Sequence, residues 1–192
     1  TVTSSSQSIM AKMAAFASPS PGWEINAYNP SGGSDRLHVY LLNTWPSNII
    51  SVYTTSVLNA NNLYHACFTY DGSGSATGVK IYRDGVSQGI AVEANNLSSS
   101  ILNNIPVTIG MRQGAQWPLN GMVDEVEVYN RVLSAAEVQS IYTSQGGGSD
   151  LIAASVSITS PSNGATVSGV VTVSANASDN IGVSGVQFKL DG

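Results

Sequence analysis

Cysteine is nearly absent from this 192-residue chain: Cys67 stands alone. One thiol closes no intrachain disulfide and builds no cysteine-based zinc cluster. Within a strand-like run it reads as a small buried hydrophobe rather than a reactive thiol. Charge is scarce as well. Asp, Glu, Lys and Arg make up 10% of the chain, against about 25% in ordinary globular proteins. The few basic residues are scattered and the formal net charge is −5, so no basic stripe is available for a nucleic acid. No apolar run approaches the roughly 20 residues of a membrane span. The histidines, His38 and His65, lie in strand-like runs with no catalytic motif beside them.

What the chain has is Ser, Thr, Asn and Gly, the turn and strand-edge residues of all-β secreted proteins. Its hydrophobic fraction of 42% suffices for one good core and part of another. It opens on "TVTSSSQSIM" without a signal peptide and stops at "FKLDG", and so reads as a piece of something longer.

Short runs separated by turn clusters fill the first part: "SIMAKMAA", "GWEINAY", "DRLHVYLL", "IISVYTT", "LYHACFTY", "VKIYRDG", "IPVTIG" and "GMVDEVEVY". Their spacing predicts an antiparallel all-β sandwich or barrel. Asp84-Gly85 between β-rich flanks predicts a two-residue hairpin turn, since both positions need φ > 0. One helix is well marked. Ser134 and Glu137 form a capping box, Leu133 and Val138 occupy the staple positions, and Val138, Ile141 and Tyr142 form one narrow apolar stripe. Its expected role is structural.

"SQGGGSD" then reads as a linker. The expected organisation is a β-sandwich over 1–145, a Gly/Ser linker over 146–154, and a partial second β-domain over 155–192. That last part alternates Val and Ser, with turns at Pro161 to Gly164 and Asp179 to Gly182. It is shorter than the roughly 100 residues of an immunoglobulin-type sandwich.

In "GMVDEVEVYN", strand alternation puts Met122, Asp124, Val126 and Val128 on one face. Three suit a core. A buried carboxylate among them needs a partner, since an unpaired one costs several kcal/mol, on the order of a lost fold.

The pieces "LYHACFTYDG", "VKIYRDG", "PVTIG" and "LNGMVDEVEVYNRVLSAAEVQSIY" together resemble, in order, the laminin-G-like jelly rolls of the concanavalin A-like lectin/glucanase superfamily. The resemblance covers about residues 5 to 145. Tyr64 stands where that family has Trp, and the family's opening strands are expected before Thr1. "ITSPSNGATVSG" and "ASDNIGVSGVQFKLDG" resemble bacterial Ig-like repeats. The resemblances imply an antiparallel jelly-roll sandwich with one short C-terminal helix, then an incomplete Ig-like β-sandwich, within a secreted or cell-surface bacterial protein.

The family often holds a structural calcium near one sandwich edge, which would make Asp124 a ligand. Ca²⁺ takes six to eight oxygens at about 2.4 Å, so other groups must join it. The alternative is that Asp124 caps loop N–H groups, or that a bulge after Gly121 turns it outward.

Three functions compete. Glycosidases need two carboxylates flanking one bond; the crowded acids are "DEVE", where Glu125 and Glu127 share a face without Asp124, so no enzyme is expected. Glycan binding needs aromatic rings and a few hydrogen-bonding groups. Trp45, in a loop before Pro46, is the first candidate, flanked by Tyr40 and Tyr53 and by the amides and hydroxyls of Asn43, Thr44, Ser47 and Asn48; Trp117 is the second, while Trp23 suits the core. Arg36, His38, His65, Lys80 and Tyr82 extend the outward-facing series over one sheet or two. A spacer or adhesion module that binds other protein domains fits equally with a jelly roll chained to Ig-like repeats. The expected partner is a polysaccharide or glycan, with neither nucleic acid nor membrane.

Overall fold

The structure is a computed structural model, which describes residues 6–13, 19–29, 34–145, 155–178, 183 and 185–189. The proposed linker over 146–154 and the turn at Asp179 to Gly182 lie outside the described residues. The chain divides into two compact units, Thr1–Tyr142 and Thr143–Gly192.

The first unit is a sandwich. Strands β1 (Gln7–Lys12), β2 (Gly22–Tyr28), β3 (Arg36–Thr44), β4 (Asn48–Thr54), β8 (Ile90–Asn95) and β9 (Thr108–Ile109) form a six-stranded antiparallel sheet in the order β8-β4-β3-β2-β1-β9. Strands β5 (Ala66–Tyr70), β6 (Val79–Arg83) and β7 (Val86–Ser87) form the smaller sheet. Alternation assigns the faces. Ile25 of β2, Leu37, Val39 and Leu41 of β3, and Ile50 and Val52 of β4 point inward. There they pack on Val79 and Ile81 of β6, with Trp23 and Phe68 at the margin. Trp23 meets Phe68 at a ring distance of 5.7 Å, as a core tryptophan should.

Asp84 (φ 53) and Gly85 (φ 74) both take the left-handed conformation and join β6 to β7. Asp84 also ties this turn to β5: its N–H donates to His65 O, and its carboxylate accepts from His65 N at 3.0 Å.

Helix α1 (Ala135–Ser144) covers the outer face of the smaller sheet. Val138 and Leu133 are buried against Tyr82, with Ile141 and Cys67 beside them. Tyr82 is therefore covered rather than displayed, and burial pushes the Cys67 thiol up to about 11. Ser134 and Glu137 cap each other: Ser134 N donates to the Glu137 carboxylate at 2.8 Å, and Glu137 N donates to Ser134 Oγ at 3.3 Å.

Two sequence expectations meet corrections. Residues 121–130 belong to no sheet, and Met122, Asp124, Val126 and Val128 are all exposed, Met122 by 80%. Alternation states only which side chains a segment would bury if it paired. Here the left-handed Glu125 (φ 48) interrupts the extended backbone, and no described strand pairs with the segment. The second correction is β8, whose apolar alternation of Ile90, Val92 and Ala94 is short and broken in register by a bulge opposite Ser51 and Val52, and which the run-by-run reading passes over.

In the second unit, β10 (Ser155–Ser160) pairs antiparallel with β11 (Ser174–Ser178). Nearly every described residue of that unit is exposed, including Val156 and Ile158. Two strands bury little by themselves.

Candidate functional site

The outer face of the six-stranded sheet is unusual for its polarity. Glu24 stands opposite Tyr40, Tyr40 opposite Ser51, Asn26 opposite His38 and His38 opposite Tyr53, so two rows of side chains cross three strands. Glu24, Asn26, His38, Tyr40 and Ser51 are all buried. A solvated sheet face would have left them wet; removed from water, each must be satisfied by a neighbour.

Two networks do this for part of each group, leaving Glu24 Oε1, Asn26 Oδ1 and His38 Nδ1 over. Arg112, from the loop after β9, reaches Glu24 with Nη2 2.5 Å from Oε2, and both side chains are wholly shielded. Asn26 Nδ2 donates to the same carboxylate oxygen at 2.9 Å. The guanidinium lies over the Trp117 ring at 3.9 Å and beside the Tyr40 ring at 5.9 Å. Arg112 is held in place by its loop, whose backbone pairs it with Gln116, and Trp117 adopts φ 52 to present its ring.

In the second network, Ser51 Oγ donates to Glu93 Oε2 at 2.6 Å and lies 2.7 Å from His38 Nε2. Since a hydroxyl has one proton to give, Ser51 accepts from His38, which places the imidazole proton on Nε2 and the lone pair on Nδ1. Burial, reinforced by the nearby Arg112 charge, pushes the His38 pKa down to about 3. The neutral ring stacks on Tyr28 at 5.0 Å, tilts against Tyr40 at 4.2 Å and meets Tyr53 edge-on at 6.0 Å. Burial and the neighbouring Glu93 carboxylate raise the Tyr40 phenol well above its usual range.

Above this floor the rim is accessible. Trp45, in the turn between β3 and β4, is 45% exposed and meets Tyr40 edge-on at 5.9 Å. Tyr53 and Trp117 are half-buried, and the Glu93 side chain is 40% exposed. The four aromatic candidates thus share one face: Trp45 touches Tyr40, Trp117 shares the Arg112 guanidinium with Tyr40, and Tyr53 joins through His38. The polar neighbours of Trp45 are otherwise engaged. Asn43 donates to Ser100 O, and Asn48 bonds Ser98 and Ser99, so these amides clamp residues 98–100 to the turn.

The sequence reading missed Glu24, Asn26, Ser51, Glu93 and Arg112. The signal was present in part, because Glu24, Asn26 and Tyr28 alternate with the apolar residues of β2. Their burial was not legible, since Arg112 comes from a loop 88 residues beyond Glu24.

The Ser51–His38 contact has nucleophile–base spacing, but the serine proton is directed to Glu93 and no acid orients Nδ1. Glu24 and Glu93 sit on strands three spacings apart, about 14 Å between backbones.

Asp124 is not on this face. It is exposed and accepts a hydrogen bond from Glu125 N at 2.8 Å. Among the described residues no three Asp, Glu, His or Cys side chains converge. The carboxylate expected in a core caps its own backbone instead.

A two-layer antiparallel sandwich with an aromatic-rimmed polar face on its larger sheet defines the class of lectin-like modules. Residues 1–139 match the family described as the concanavalin A-like lectin/glucanases superfamily, and the chain belongs to it. Residues 155–192 match the bacterial Ig domain family. Comparison with curated proteins and with solved structures returns no match.

Proposed function

We propose that this chain is a non-catalytic carbohydrate-binding or adhesion module of a secreted or surface-exposed bacterial protein, with the glycan lying along the outer face of the six-stranded sheet. The observation that carries this reading is Trp45 standing half out of the molecule against Tyr40, above a hydrogen-bonded polar floor. Stacking on the apolar face of a pyranose asks for such a platform, and the floor fixes the ring that supports it. The burial of Glu24 on Arg112, which turns that carboxylate away from any ligand on the face, supports the non-catalytic part. Both family matches are to modules typical of extracellular proteins, and no helix among the described residues is long and apolar enough to cross a membrane.

The test is a glycan array probed with the whole chain, followed by calorimetry on each hit with wild type and Trp45→Ala. Binding lost in the variant with melting unchanged supports the reading; an array with no hit would overturn it. A second reading, a spacer that pairs with other protein domains, is favoured by the exposed β10–β11 pair. It predicts an empty array and self-association or partner capture through residues 155–178.

A further inference from the structure

Resting on the glycan reading, we propose that Glu93 makes this face select sugars bearing a protonated amine over sugars bearing a carboxylate. Glu93 lies on β8, the edge strand of the sheet, with its carboxylate reaching the rim. Oε2 accepts the Ser51 proton. Among the described residues no Lys or Arg is seen to pair with it, and the nitrogen base in reach is His38 Nε2 at 3.5 Å, whose proton is directed to Ser51. The face's two cations are both committed elsewhere. Arg112 is buried on Glu24, and Arg36, at the far end of β3, donates to the carbonyls of Thr54 and Thr55.

The floor below is close to neutral. Glu24 Oε1, Asn26 Oδ1 and His38 Nδ1 are buried with no hydrogen-bond partner. All three are acceptors; the Ser8 hydroxyl, also without a partner, serves either way. The Arg112 guanidinium lies among these groups and offsets the Glu24 carboxylate, so the charge preference of the face is set at the rim by Glu93. An ammonium supplies three donors and a charge-assisted bond to the rim carboxylate. A uronate brings a second carboxylate beside Glu93, and like charges set together disfavour binding.

The experiment compares β-1,4-linked hexasaccharides of one backbone configuration: glucosamine, N-acetylglucosamine, glucose and glucuronic acid. Calorimetry is run at a mildly acidic pH that keeps the amine protonated and the carboxylates ionised. The glucosamine oligomer is expected to bind about 10-fold or more tightly than the glucuronate. Added salt should shrink that ratio in wild type, and Glu93→Gln, which still accepts from Ser51, should reduce it to near unity with the melting temperature kept. Equal affinity for amine and uronate, or a ratio that Glu93→Gln leaves intact, would overturn the selection by Glu93 while glycan binding stands. Binding of none of the four, with an empty array, removes the glycan reading itself.

Discussion

Arg112 and Glu24, 88 positions apart in the chain, meet at 2.5 Å with neither side chain touching solvent. This pair pins the loop carrying Trp117 to the centre of the sheet. Breaking one side leaves an uncompensated buried charge. Arg112→Met is therefore expected to destabilise the first unit by about 3–5 kcal/mol, and pairing it with Glu24→Gln should restore part of that. Urea unfolding of the two single variants and the double variant measures the coupling.

His38 sets an acid limit on stability. Its folded value is depressed to about 3 from 6.5. Above the unfolded value both states are neutral and nothing is lost. As pH falls below it, the unfolded chain binds a proton that the folded chain refuses, so stability drops by up to about 1.4 kcal/mol per pH unit until the folded value is reached. Denaturant midpoints between neutral pH and the acid range should show this slope, flattened in His38→Gln.

Trp45 divides binding from folding. Because its ring is already half in water, Trp45→Ala should weaken a bound glycan about 10-fold, near 1.4 kcal/mol. Unfolding should stay within about 1 kcal/mol of wild type, far from the 3–5 kcal/mol of a core aromatic. Iodide quenching of its fluorescence, reduced by ligand, gives an independent readout.

Ser134 and Asp124 are expected to behave oppositely to the weight their motifs suggest. Ser134→Ala removes a cap on the helix that covers Tyr82 and should destabilise by about 0.5–2 kcal/mol without touching glycan affinity. Asp124→Ala, at an exposed carboxylate, should stay within about 0.5 kcal/mol. Thermal melts of both variants side by side decide the order.

Much of this architecture was legible from local pattern. The alternation in β2, β3 and β4 announces both faces, Asp84-Gly85 announces its turn, and Ser134 with Glu137 announces the helix start, because each is a short-range effect. Residues 121–130 show the limit: Met122, Val126 and Val128 have a strand's pattern, but a strand exists only through the edge it pairs with. The site was harder for the same reason. Trp45 and Tyr40 are near neighbours in sequence and could be placed together. Arg112 meets Glu24, and Glu93 meets Ser51, only through the strand order of the finished sheet, and polar residues give no sign beforehand that they will be buried.

The hairpin tip at Gly85 has a consequence for which substitutions the chain accepts. A Cβ there would lie 2.7 Å from Gln139 Oε1 and 3.0 Å from the Tyr142 ring, and the backbone φ of 74° is left-handed. Asn tolerates that conformation but must displace the Gln139 amide, and Ala meets the same contact with a strained backbone besides. The neighbouring Asp84 takes a left-handed φ too, so Asn is admissible there. The turn thus has one position that accepts a side chain readily and one where any Cβ is strained in the backbone and makes Gln139 swing aside from the hairpin it touches.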